Sequence, residues 1–161
     1  MSRHKKFSSV GNNLTDDINV GNTYKTKRKI TKIAIHCSAS PQGRGDDAHT
    51  IDNWHKQRWN SGIGYHYVVL EDGTIQKGRW ADYLGAGVSK GNVGTLHICY
   101  IGGIKFDDIT TKQECSVITL ARLLKQMYNL DESKILGHNQ FKGHESRGCP
   151  LIDMNKLRNN I

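Results

Sequence analysis

Between Thr111 and Leu130 the apolar residues Cys115, Ile118, Leu120, Leu123, Leu124 and Met127 recur at helical spacing, in a chain otherwise made of short segments. A helix with one apolar face has to be covered, and the flanking segments supply the cover. In KITKIAIHC (29–37), Ile33, Ile35 and Cys37 alternate with Ala34 and His36, the period of a strand. GYHYVVL (64–70) is strand-like and runs into Glu71-Asp72-Gly73-Thr74, where Asp-Gly signals a hairpin, with Ile75 to Gly78 as the return strand. GTLHICYIGG (94–103) is a further apolar strand and KILGH (134–138) a short one. Thr50 is a candidate cap for a short helix reaching Arg58, and Asp153 for a terminal helix in DMNKLRNNI. This order predicts an α/β fold: a single domain with a central mixed β-sheet flanked by helices.

Residues 1–28 are polar, rich in Gly, Asn and Ser, and without periodicity; they read as a basic extension, with the folded domain at 29–161. Most of the formal charge of +8 sits at this end, where residues 1–32 carry eight Lys and Arg against Asp16 and Asp17. Such an arm suits a polyanion, but it has few aromatics and no groove-reading motif, so no specific nucleic-acid partner is expected. No apolar run approaches the ~20 residues of a membrane span. The basic start is followed by no apolar segment, so no signal peptide is expected and the chain is placed in the cytoplasm until something releases it. Four cysteines would allow two disulfides, but a reducing compartment favours free or metal-bound thiols. Cys37, Cys99 and Cys115 fall at apolar positions and read as small buried hydrophobes.

Three residues stand where chemistry is expected. His36 ends one strand, His138 ends another, and Cys149 follows in RGCPL. Two imidazoles and a thiolate are good zinc ligands, and three protein ligands leave the fourth tetrahedral position open.

The blocks IAIHCSAS, WHKQRWNSGIGYHYVVLEDGTI, GNVGTLHICYIGG and LGH…RGCPLID resemble, in order, the N-acetylmuramoyl-L-alanine amidases of the amidase-2 and peptidoglycan recognition protein family, the small amidase endolysins of tailed phages most of all. The resemblance runs from about Ile30 to the C-terminus and leaves residues 1–28 uncovered. It implies one zinc ion on His36, His138 and Cys149, with Tyr65 and Arg147 as catalytic residues. It also implies hydrolysis of the amide between muramic acid and L-alanine of peptidoglycan, in host-cell lysis, by a monomer that waits in the host cytoplasm. An always-charged arginine suits oxyanion stabilisation and is a poor general acid, so proton traffic falls to Tyr65 and the metal's water.

The chain departs from the family at three places. Relatives usually have Lys where Arg147 stands, frequently have His where Gly87 stands, and tend to have a small residue where His97 stands. Asn92 remains a candidate contact to sugar or peptide. His66 and Glu145 are candidates for the layer behind the ligands, and His55 and Trp54 read as structural. Two other functions fit the same fold: a peptidoglycan-binding module without catalysis, which the presence of Cys149 disfavours, and an amidase that also restrains a phage RNA polymerase, for which the basic arm would be the contact.

Overall fold

The structure is a computed structural model and describes residues 23–161. The first 22 residues of the basic extension lie outside the described part. Residues 23–28, grouped with that extension on sequence grounds, run along the domain. Thr26 is buried, its hydroxyl donates to Asp82 at 2.6 Å and its N–H to the Tyr128 hydroxyl, while Arg28 Nε donates to the carbonyl of Ala81.

Eight elements follow: β1 (Lys32–Cys37), α1 (Ala48–Arg58), β2 (Tyr67–Val69), β3 (Ile75–Lys77), β4 (Thr95–Tyr100), α2 (Thr111–Met127), β5 (Ile135–Gly137) and α3 (Met154–Arg158). The strands form one sheet in the order β3-β2-β4-β1-β5. β1 is central and pairs in parallel with β4 on one side and β5 on the other; β2 is parallel to β4, and only β3 is antiparallel. The mixed sheet expected from the sequence is present.

Alternation along β1 sorts its side chains between two layers. Ile33, Ile35 and Cys37 join Leu96, Ile98 and Tyr100 of β4 beneath α2, whose Val117, Leu120, Ala121 and Leu124 complete the main core. Burying a leucine of this kind stabilises by about 1.5–3 kcal/mol. On the other face, Ala34 packs with Val88 and Phe141, and a second cluster of Val68, Cys99 and Ile101 receives Ala48 and Ile51 of α1. His36 and His97 belong to this second face, since Ala34 is in register with His97.

The helix ends show which side chains hold them. α2 begins with a capping box: Thr110 accepts from the N–H of Gln113, and the Gln113 side chain takes the N–H of Thr110. α1 begins at Asp47 rather than Thr50. Asp47 accepts from the N–H of Thr50, whose hydroxyl accepts from the N–H of Asp47, so Thr50 is the third residue inside the helix. The carboxylate is the stronger acceptor for the orphaned N–H groups, which moves the start back. α3 is capped by Asp153 as expected. The β2–β3 turn has Gly73 at φ +87°, and a Cβ there would lie 2.9 Å from the carbonyl oxygen of Lys112, so the turn is seated on the first turn of α2. A further sequence expectation fails: Cys115 is exposed on α2, because it lies off the stripe formed by Val117, Leu120 and Leu124. All four cysteines are free thiols.

Candidate metal centre

Parallel pairing brings the ends of β1 and β5 to the same edge of the sheet, where α/β folds form their crevices. His36 is the penultimate residue of β1, and His138 follows β5 directly, opening a short 3-10 turn. Cys149 returns on the following loop, which is tied down at two points. Its carbonyl accepts from the N–H of Asn139, and the carbonyl of Pro150 accepts from the Tyr100 hydroxyl at 2.7 Å. The three side chains thereby converge. His36 Nδ1 is 3.2 Å from His138 Nδ1 and 4.0 Å from Cys149 Sγ, and one ligand atom from each of the three residues falls within 4.8 Å of the others. Among the described residues, this is the one such group of His, Cys, Asp and Glu.

Burial and neighbouring imidazoles set the protonation. His36 is fully buried, and desolvation, then the His138 ring, hold it neutral far below its ordinary range. His138 is half-buried and lowered to about 4, first by desolvation, then by His144 and Arg147. Both rings therefore stand in the neutral form that binds metals. The Cys149 thiol is pushed up by its hydrogen bond with the Cys37 thiol and by burial, while the Cys37 N–H, 3.2 Å from the sulfur, pulls the other way. A cation beside the sulfur would shift that balance to thiolate.

The donor set suits a small tetrahedral ion. Metal–nitrogen bonds of ~2.1 Å and metal–sulfur bonds of ~2.3 Å separate tetrahedral ligand atoms by about 3.4–3.6 Å. The two spacings from His36 differ from these by a few tenths of an ångström, within the reach of side-chain adjustment.

Tyr65 lies just before β2, half-buried, its ring centroid 4.9 Å from that of His36 and 5.3 Å from that of His55. Burial, then the nearby thiols of Cys99, Cys149 and Cys37, hold its hydroxyl protonated. Arg147 is exposed on the cysteine loop, and its Nε donates to His144 Nδ1 at 3.2 Å. The structure therefore brings Tyr65 against a ligand ring and leaves Arg147 one side chain removed from His138.

Sequence reasoning misses two residues behind the candidate ligands. His138 Nε2 is 3.1 Å from His144 Nδ1, and His144 Nε2 reaches the carbonyl of Ser89 at 3.0 Å. On the other side, His36 Nε2 is 2.9 Å from His97 Nδ1. Each candidate ligand imidazole thus meets a second imidazole through its outer nitrogen, the position where metal-binding histidines take an orienting partner. The expected layer is otherwise arranged differently: His66 contacts His97 rather than a ligand, and Glu145 is exposed. Asn92 turns inward, where its Oδ1 accepts from the N–H groups of Gly87 and Val88. His55 is structural, accepting from the N–H of Gly64.

Residues 26–151 match the family model described as N-acetylmuramoyl-L-alanine amidase. The endolysin of Escherichia phage T7 is 27% identical over 138 residues, covering 83% of this chain and 88% of the relative. Peptidoglycan-recognition protein SD of Drosophila melanogaster is 32% identical over 99 residues, 60% of this chain and 52% of that protein. Among solved structures, the endolysin N-acetylmuramoyl-L-alanine amidase LysCS of Clostridium intestinale URNW superposes with a TM-score of 0.72 at 26% identity, over 85% of this chain and 90% of that one. The convergence of two histidines and a cysteine at the edge of a mixed sheet, together with a family match over most of its length, makes this chain a member of the N-acetylmuramoyl-L-alanine amidase family of hydrolases.

Proposed function

We propose that this protein is a zinc-dependent amidase that hydrolyses the bond between N-acetylmuramic acid and L-alanine in peptidoglycan, acting as a phage endolysin in host-cell lysis. The observation that carries this reading is the meeting of His36, His138 and Cys149 within 4.8 Å, two neutral imidazoles beside a thiol. A zinc ion held by these three side chains would supply a Lewis acid and a water acidic enough to ionise near neutral pH.

The chain's own residues do the rest. Tyr65 stays protonated beside His36, so its hydroxyl donates a hydrogen bond toward the reacting amide and, as a relay, hands on to the leaving amine a proton that the attacking water gives up. Arg147 brings a permanent positive charge to the rim of the site, suited to the oxyanion that develops on the amide oxygen. Its bond to His144 Nδ1 steers that charge without burying it. The likeness to the phage T7 endolysin along most of both chains supports the lytic role.

Digestion of purified peptidoglycan by the protein, with and without prior chelation, tests the reading. Mass spectrometry is expected to detect free stem peptides with an L-alanine amino terminus, lost on chelation and restored by zinc. Products cut between sugars, or within the stem peptide, would contradict it.

A further inference from the structure

His97 is fully buried and takes no part in the chemistry described above. It stands on β4 in register with Ala34, on the face of the sheet that carries His36. Its Nδ1 lies 2.9 Å from His36 Nε2, while the other nitrogen of His36, Nδ1, is the one 3.2 Å from His138. A neutral imidazole that offers Nδ1 to a metal carries its proton on Nε2, and the partner of Nε2 selects that tautomer. We propose that His97 is a positioning residue: by accepting the Nε2 proton of His36, it fixes that ring's tautomer and orientation so that Nδ1 is presented to the metal. The proposal rests on the zinc reading of the site.

Three observations support it. The backbone of His97 is anchored from behind. Its N–H donates to His66 Nδ1 at 3.0 Å, its carbonyl accepts from the His66 N–H, and His66 Nε2 in turn reaches the carbonyl of Tyr83. The His97 ring stacks on that of His66, with centroids 5.6 Å apart and 15° between the planes, so packing as well as the hydrogen bond orients it toward His36.

The second observation is a cost. With Nδ1 accepting, the proton of His97 lies on Nε2, and that atom is buried without a hydrogen-bond partner among the described residues. A stranded donor is unfavourable, and an aliphatic side chain of similar bulk would fill the space without one. Packing alone does not call for histidine here, whereas the acceptor at Nδ1 does.

The third is the loop that crosses above the pair. A Cβ on Gly87 would lie 2.5 Å from His97 Nδ1 and 3.0 Å from His36 Nε2, on the two atoms of the hydrogen bond itself. A Cβ on Gly85 would lie 2.4 Å from His97 Cδ2. Neither glycine has the left-handed φ that would require the residue on backbone grounds, so both are glycine for room. Gly87 and His97 form one unit: the missing side chain on the loop makes space for the imidazole on the strand.

The test measures zinc affinity of the full chain by competition with a chromogenic chelator. His97→Leu is expected to weaken zinc about 10–100-fold, the usual effect of removing an orienting partner. His97→Asn, whose Oδ1 can accept where Nδ1 stood, is expected to restore most of the loss. Gly87→Ala should weaken zinc in the wild-type background and add little to His97→Leu. Circular dichroism of the metal-stripped proteins identifies any variant that fails to fold. Zinc binding by His97→Leu as tight as wild type, or by folded His97→Asn as weak as His97→Leu, would overturn the proposal. A wild-type protein that takes up no zinc would instead defeat the reading of the site. The ring-nitrogen NMR shifts of His36 in stripped protein then decide the role of His97. An Nε2-protonated ring in wild type that becomes mixed in His97→Leu supports it, and no change between the two refutes it.

Discussion

The backbone N–H of Cys37 donates to the sulfur of Cys149 at 3.2 Å, joining the last residue of β1 to a loop 112 positions later. A strand end thus points a donor at the one candidate ligand that would have to lose a proton to bind a metal. Replacing Cys149 by serine keeps the shape and the contact but not the chemistry, since a hydroxyl is far harder to ionise than a thiol. Cys149→Ser is expected to retain its circular dichroism and to lose both bound metal on dialysis and peptide release. A serine variant that keeps both would show that the sulfur is not a ligand.

Arg147 gives a different outcome because it lies outside the donor set. Arg147→Ala is expected to bind zinc as wild type does while kcat falls about 100-fold, the scale of losing one oxyanion donor. KM should change little. Steady-state release of stem peptides with parallel metal analysis separates the two effects, and an undiminished kcat would remove Arg147 from catalysis.

His55 makes part of the stability depend on pH. Its Nδ1 accepts from the N–H of Gly64, and desolvation, then Arg58 and Arg79, lower its pKa from 6.5 to about 4. Between those values the unfolded chain binds a proton that the folded chain refuses, so stability falls as pH drops from 6.5 toward 4 and is fully present above 6.5. Thermal melts at pH 7 and pH 5 should show a lower Tm at pH 5. His55→Asn, which keeps an acceptor for Gly64 but cannot titrate, should shrink that difference; an unchanged difference would rule out the contribution of His55.

The main core makes the fourth prediction. Leu120 is completely buried between α2 and the sheet, so Leu120→Ala should destabilise by about 2–5 kcal/mol. In a chain of this size that corresponds to a Tm lower by roughly 10 °C. A shift within 2 °C would mean that the helix packs otherwise.

Alternation, short apolar runs, the Asp-Gly turn, helical period and the Asp153 cap were enough to find the five strands, the long helix and the terminal helix of the described residues, because these are signals local in the chain. The candidate ligand set was suggested by His36 and His138 lying at or next to strand ends, which meet in parallel sheets, but the choice of His36, His138 and Cys149 rested mainly on the family resemblance. The cap of α1 was misplaced by three residues, since Asp47 and Thr50 both carry capping oxygens and only the three-dimensional turn decides between them. His97 and His144 were missed as partners of the ligands for a deeper reason. Their neighbours are set by strand order and loop path, not by local sequence. The pairing of Ala34 with His97 that puts two histidines side by side exists only once β4 lies next to β1. The departures at Gly87 and His97 were visible separately, but their dependence on each other was not.

If two imidazoles and one thiol of this chain grip a zinc ion, inductively coupled plasma analysis of the purified protein reads it directly. Wild type should carry close to one zinc per chain and Cys149→Ser close to none. A folded wild-type protein devoid of transition metal after exposure to zinc, or a serine variant loaded as fully as wild type, would contradict the account.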